Sequence, residues 1–94
     1  MQKHQQEWLE GYKGLLTDFI ERKISPSNFQ ALYFRKFKDE ERIIPEKIFR
    51  ILDWLFAETD SYCEDPTLRD SGDIGDDELL ISAKRALSEL NELA

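Results

Sequence analysis

The chain has 94 residues, enough for one hydrophobic core and too few for two, so residues 1–94 are expected to form a single domain. Hydrophobic residues make up 40% of the chain and aromatic residues 12%, which excludes wholesale disorder. No apolar run approaches the length of a membrane span and no signal peptide is recognisable, so a cytoplasmic location is expected. The single cysteine, Cys63, cannot form an internal disulfide, which fits a reducing compartment.

The net charge of −7 is unevenly distributed along the chain. Residues 1–56 contain ten Lys/Arg and nine Asp/Glu, whereas residues 57–94 contain three Lys/Arg and eleven Asp/Glu. Direct binding to nucleic acid is disfavoured, because a concentration of carboxylates repels phosphates. A protein partner with a basic surface is the natural complement.

Two helices are predicted in the near-neutral part of the chain. Apolar residues from Trp8 to Ile20 recur at spacings of three and four, which predicts an amphipathic helix that ends near Lys23. In "ISPSN", Ser25 is typical of a helix N-cap and Pro26 of a first helical residue. The apolar face of this second helix consists of Phe29, Leu32, Tyr33 and Phe37.

A third helix is predicted to open at Pro45, with a wide apolar stripe from Ile48 to Phe56. The helical pattern is lost after Ala57. The residues that interrupt it are Pro66, Gly72 and Gly75.

The fourth predicted helix is capped by Asp76 or Asp77 and carries Glu78 in its first turn. Its apolar stripe consists of Leu79, Leu80, Ala83, Leu87 and Leu90. No segment alternates with a period of two, so strands are not expected. The predicted fold is therefore all-α: an antiparallel four-helix bundle with an acidic loop between helices 3 and 4.

Residue types that carry out catalysis or hold cofactors are scarce. His4 is the only histidine and Cys63 the only cysteine, too few for a zinc site. A histidine-activated nucleophile would need an anchored histidine, and nothing in the sequence indicates that His4, near the N-terminus, is anchored. The EF-hand pattern fails whether Asp65 or Asp70 is placed first, which leaves only weak, incidental calcium binding open. "DSG" at residues 70–72 lacks the leucine of the acyl-carrier motif. We expect no enzyme activity, no metal, no cofactor, no small-molecule substrate and no membrane contact.

The most unusual feature is "ETDSYCEDPTLRDSGDIGDDE", residues 58–78, called the acidic stretch below. It holds nine carboxylates and one basic residue, Arg69. A solvated loop that confers solubility is one interpretation. Apolar residues inside the stretch, such as Tyr62 and Leu68, and the repulsion among its charges favour a binding surface for a basic partner. Tyr62 is the aromatic contact expected within that surface.

The order of motifs resembles that of the colicin D immunity proteins, a family that includes immunity proteins of contact-dependent growth inhibition systems. "FIERKISPSNFQALYFRKF" is similar to their first helix, turn and second helix. The acidic stretch and "DDELLISAKRALSELNEL" are similar to their acidic loop and final helix, so the resemblance covers roughly residues 15–93. It implies a cytoplasmic immunity protein that binds a tRNA-cleaving toxin domain and covers its basic active site.

The resemblance assigns toxin contact to acids near the end of helix 3 and in the loop after it, and charge alone extends the assignment further along the loop. The expected toxin-binding residues are Glu58, Asp60, Tyr62, Glu64, Asp65, Asp70 and Asp73. The chain departs from the family pattern in its longer lead, residues 1–10, and in Gly72 and Gly75. The alternative function is that of an acidic adaptor or antitoxin that binds a different basic protein.

Overall fold

The computed structural model describes residues 3–93, with side chains from Trp8 onward. Over this range the chain forms four α-helices and a short 3₁₀ turn, and no β-strand. The elements are α1 (Lys3–Ile20), α2 (Pro26–Lys38), α3 (Glu46–Asp60), the 3₁₀ turn (Pro66–Leu68) and α4 (Asp76–Leu93). The predicted all-α, four-helix fold is confirmed, and the antiparallel direction of neighbouring helices stays a prediction. In the described range, no helix combines the length and apolarity of a membrane span.

Helix α2 begins where its sequence predicts. Ser25 is the N-cap, and its hydroxyl oxygen accepts a hydrogen bond from the Asn28 N–H at 3.1 Å. Pro26, which lacks an N–H, is the first helical residue. Helix α3 begins one residue later than predicted, because Pro45 precedes the helix as its cap.

Helix α1 ends at Ile20, earlier than predicted, in a turn that uses an unusual backbone conformation. The Arg22 N–H bonds the Phe19 carbonyl at 3.0 Å, and the Lys23 N–H bonds the Asp18 carbonyl at 2.8 Å. This pair of hydrogen bonds is the Schellman motif, which requires a left-handed residue and favours glycine there. Arg22 occupies that position with φ 65°, so the turn is formed at some conformational cost.

The cap of α4 differs from the prediction. Asp76 is the first helical residue, and Gly75 precedes the helix. The Gly75 N–H donates to the Glu78 carboxylate at 2.7 Å, which is half of a capping box. Residues 61–75, called the connection below, lead from α3 to this cap.

The core lies between the four helices and includes one residue of the connection. Its buried members are Leu9, Tyr12, Leu16, Phe19, Phe29, Tyr33, Leu52, Leu55, Tyr62, Leu79, Ala83, Ala86 and Leu90. Phe19 and Phe29 stack at 4.5 Å between ring centroids, and Phe29 lies 5.7 Å from Tyr33. The buried Tyr33 hydroxyl donates to the Leu52 carbonyl at 2.7 Å, so its polar atom is satisfied inside the core.

Candidate functional site

The connection leaves α3 and returns to its starting point before α4 begins. The Ile74 N–H donates to the Ser61 carbonyl at 2.9 Å, and the Cys63 N–H donates to the Ile74 carbonyl at 3.0 Å. Gln30 of α2 reaches the same place, where its side-chain amide donates to the Tyr62 carbonyl at 3.2 Å. The first two hydrogen bonds join the ends of the connection to each other, and the third ties them to α2.

Tyr62 packs into the core at the base of the connection. Only 6% of its surface is exposed, and its hydroxyl donates to the Asp76 carboxylate at 2.6 Å. Burial, and secondly the hydrogen bond to Asp76, raise the pKa of Tyr62 to about 12. In this arrangement Tyr62 holds the connection against α4, and its ring is not open to a partner as the sequence led us to expect.

The 3₁₀ turn is stabilised by Asp65. Its carboxylate accepts hydrogen bonds from the Thr67 N–H at 2.9 Å and from the Thr67 hydroxyl at 2.8 Å. These two hydrogen bonds hold the pKa of Asp65 below its usual range, and the bond from the Thr67 N–H has the larger effect. The turn leaves Leu68 69% exposed in the middle of the acidic stretch. Leu68, and not Tyr62, is therefore the large apolar side chain that this part of the protein presents to solvent.

Arg69 crosses the connection from one side to the other. Its Nε donates to the Cys63 carbonyl at 2.7 Å and its Nη2 to the Glu64 carbonyl at 3.4 Å. Its guanidinium lies against Gly75, where a Cβ atom would stand only 2.8 Å away from it. The one basic residue of the acidic stretch thus binds main-chain carbonyls and closes the connection.

The nine carboxylates of the acidic stretch fall into two groups. Five accept a hydrogen bond from the protein itself: Glu58, Asp65, Asp73, Asp76 and Glu78. The other four are exposed and have no side-chain hydrogen bond or ion pair among the described residues; these unpaired acids are Asp60, Glu64, Asp70 and Asp77. Of the six acids assigned to toxin contact from sequence, three are therefore unpaired and three help to build the local structure.

Sequence reasoning missed two exposed residues on α4. Asp77 was considered only as a helix cap, yet its carboxylate is one of the unpaired acids. Ile81 lies four residues later, on the same side of the helix, and is 65% exposed. The spacing of Asp77 and Ile81 would have placed both on one face, but only the structure shows that this face is uncovered.

The residues considered for chemistry show little organisation. Cys63 is half-buried, and its thiol lies 3.5 Å from the Asp65 carbonyl oxygen. Among the side chains that the structure describes, no three His, Cys, Asp or Glu residues are grouped to hold a metal ion. The side chain of His4 lies outside the described ones.

Residues 9–93 match the model of a protein family described as bacterial self-protective, colicin-like immunity. The matched range takes in most of α1 and all of α2, α3, the connection and α4. No curated protein and no solved structure matches the chain. The family predicted from the order of motifs is therefore confirmed at the level of colicin-like immunity.

Proposed function

Because this chain belongs to the family of bacterial self-protective, colicin-like immunity proteins, we propose that it binds a cognate tRNA-cleaving toxin with its acidic stretch and blocks the active site. An immunity protein neutralises a toxin. The observation that carries the proposal is the family match over residues 9–93, which includes the whole acidic stretch. The choice of a tRNase rests on the resemblance to the colicin D immunity proteins, and the acidic contact rests on charge and exposure.

The unpaired acids supply the attraction for the toxin. They extend from Asp60 at the end of α3, through Glu64 and Asp70 in the connection, to Asp77 in the first turn of α4. A nuclease active site that holds RNA must attract phosphates, so carboxylates displayed at the surface complement it. Because these four side chains have no partner to give up among the described residues, binding breaks no internal hydrogen bond of theirs.

Two exposed apolar residues supply the contact that charge alone does not give. Attraction between exposed charges is screened within about 8 Å at physiological salt, so it acts mainly on the rate of encounter. Leu68 stands among the acids of the connection, and Ile81 shares a face of α4 with Asp77. Full burial of such a side chain against a partner stabilises the complex by about 1.5–3 kcal/mol. We expect the acids to set the association rate and the apolar residues to slow dissociation.

Inhibition in this mechanism requires no chemical step on the part of the immunity protein. The acidic stretch occupies the place of the tRNA backbone, and the toxin is silent for as long as the complex lasts. Inhibition should therefore be stoichiometric, with one immunity protein for each toxin domain.

The test begins with the tagged protein, isolated from its producing strain together with whatever it binds. The co-eluting partner is separated in denaturant, refolded and assayed for cleavage of total tRNA. We expect a basic protein that cleaves tRNA and is silenced at one equivalent of the wild-type chain. A charge-reversed variant, Asp60→Lys with Glu64→Lys, should inhibit less well at equal concentration.

The matched control is Glu41→Lys with Asp53→Lys, which makes the same change of charge at exposed positions outside the acidic stretch. It should inhibit like the wild type. A basic partner without nuclease activity would contradict the toxin assignment and would favour the acidic adaptor. Equal inhibition by both double variants would contradict the acidic contact.

A further inference from the structure

We infer that Arg69 is a positioning residue that closes the connection and so holds Leu68 and the unpaired acids as one preformed surface for the toxin. The inference rests on the proposed function for its partner. It concerns a residue whose charge, taken by itself, is the wrong sign for that function.

The contacts of Arg69 are directed inward. It is the only basic residue among residues 58–78, where a positive charge opposes the attraction of a basic toxin. Its guanidinium nevertheless forms no ion pair among the described residues and binds the carbonyl oxygens of Cys63 and Glu64. A planar guanidinium with several fixed donors can bridge two carbonyls in this way, whereas an ammonium group cannot reproduce the fork. The geometry therefore explains why an arginine stands here in spite of its charge.

Gly75 makes room for this contact. No glycine of the described chain has a positive φ, so backbone conformation does not require glycine at this position. Close approach does, because a Cβ atom on Gly75 would lie 2.8 Å from the Arg69 guanidinium. At Gly72, in the same connection, a Cβ atom would meet nothing within 4 Å. Of the two glycines in the connection, only Gly75 lies too close to another residue to carry a Cβ atom, and that residue is Arg69.

The closed connection includes the residues that face solvent. Arg69 follows Leu68 directly and ties the chain at Cys63 and Glu64 to the chain at Gly75. The exposed 3₁₀ turn (Pro66–Leu68) lies between Cys63 and Gly75, the two places that Arg69 joins. Without Arg69, the turn would retain its Asp65 cap but lose the link across the connection, and the toxin would have to order it on binding.

Replacing Arg69 by glutamine separates positioning from charge, because the two effects have opposite signs. Charge alone predicts that Arg69→Gln makes the surface more acidic and tightens binding to the nuclease domain that co-purifies with the protein. Positioning predicts dissociation about tenfold faster, as expected for the loss of hydrogen bonds from a charged donor, with association no slower. Arg69→Lys keeps the charge without the planar fork and should also dissociate faster.

The matched control for charge is Lys47→Gln in the first turn of α3, which removes a positive charge from an exposed position away from the connection and from the α4 face of Asp77 and Ile81. It should leave the dissociation rate at the wild-type value. Gly75→Ala complements it, since it displaces Arg69 without changing any charge. Gly72→Ala is the matched control for the glycine replacement.

A second readout needs no toxin. Cys63 is the only cysteine of the chain, is half-buried, and carries the carbonyl that Arg69 binds. In the isolated protein, Arg69→Gln and Gly75→Ala should raise the rate at which Ellman's reagent modifies this thiol several-fold. Lys47→Gln and Gly72→Ala should not, and all four variants should keep the helix content of the wild type in circular dichroism.

The inference is overturned if Arg69→Gln leaves the thiol reaction unchanged, because Arg69 then does not close the connection. It is equally overturned if the thiol reacts faster but the toxin dissociates at the wild-type rate, because closure then does not serve binding. If the wild-type chain binds no toxin, the proposed function fails and the binding role of Arg69 fails with it. The thiol reaction distinguishes this last case from the first.

Discussion

The helical scaffold and the connection are held together by different forces. In the scaffold, aromatic rings such as Phe19 and Phe29 stack on one another, and the buried Tyr33 hydroxyl is satisfied by a carbonyl of α3. In the connection, Asp65 and Arg69 bind main-chain atoms nearby, and only its two ends reach the core. The connection carries a net charge of −3 over 15 residues, whereas the rest of the chain carries −4 over 79 residues.

Under the proposed function, this difference separates the buried residues that stabilise the fold from the exposed residues that bind the toxin. A buried charge must be compensated by a partner, so a core cannot carry many of them. An exposed segment held by hydrogen bonds to its own backbone can carry unpaired carboxylates at little cost in desolvation. Substitutions in one region are therefore expected to leave the property of the other region unchanged.

The largest effect is expected in the scaffold. Leu52 is fully buried, and Leu52→Ala should lower the free energy of unfolding by about 3 kcal/mol through lost burial and the cavity left behind. Urea denaturation followed by circular dichroism measures the change. Ile81→Ala, at an exposed position, is the control and should change the free energy by no more than about 0.5 kcal/mol. Similar losses for both variants would contradict the assignment of core and surface.

The next effect separates recognition from stability. Asp60→Lys with Glu64→Lys should slow association with the toxin by about tenfold at low salt, because the steering charge is reversed. The free energy of unfolding should change little, since neither carboxylate has a partner among the described residues. Stopped-flow association at several salt concentrations is the measurement. A change confined to the dissociation rate would show that these acids do not steer the encounter.

A smaller effect is expected where the two regions meet. Tyr62→Phe removes the hydrogen bond to Asp76 and should lower the free energy of unfolding by about 1 kcal/mol. The pKa of Tyr62 is raised from 10.0 to about 12, so its phenol ionises more readily in the unfolded chain. Its contribution to stability is complete below pH 10 and is lost as the pH rises to about 12.

Urea denaturation of the wild type between neutral pH and about pH 12 should show this decline. Burial raises the pKa values of Tyr12 and Tyr33 as well, so they add to it in the same direction. Tyr62→Phe should show a shallower decline than the wild type. An identical decline in both proteins would mean that Tyr62 does not contribute to it.

The smallest effect is expected in the turn after α1, where the backbone conformation of Arg22, and not its charge, is tested. Arg22 has φ 65°, where glycine has no steric penalty, so Arg22→Gly should raise the free energy of unfolding by about 0.5 kcal/mol. The gain is limited because glycine also increases the freedom of the unfolded chain. Lys23→Gly, at a neighbouring residue with ordinary φ, is the control and should lower stability slightly. A loss from Arg22→Gly would show that the arginine side chain stabilises the turn by more than its backbone costs.

Local signals in the sequence predicted the helices well. Ser25 and Pro26 fix the start of α2 through a hydrogen bond and a ring geometry that involve only neighbouring residues. The start of α4 was misassigned for the opposite reason. Asp76 accepts a hydrogen bond from Tyr62, fourteen residues away, and the cap is formed instead by Gly75 and Glu78.

The sequence by itself determined that this protein has four helices, one core and a concentration of acid between the last two helices, because periodicity, caps and composition are local properties. Which acids are left unpaired at the surface was decided only by the tertiary structure. Glu58 is paired because Ser82 of another helix reaches it, whereas Asp60, two residues later, meets no donor among the described residues. The burial of Tyr62 and the exposure of Leu68 also depend on tertiary contacts. The core covers the base of the connection, and Arg69 holds its turn outward.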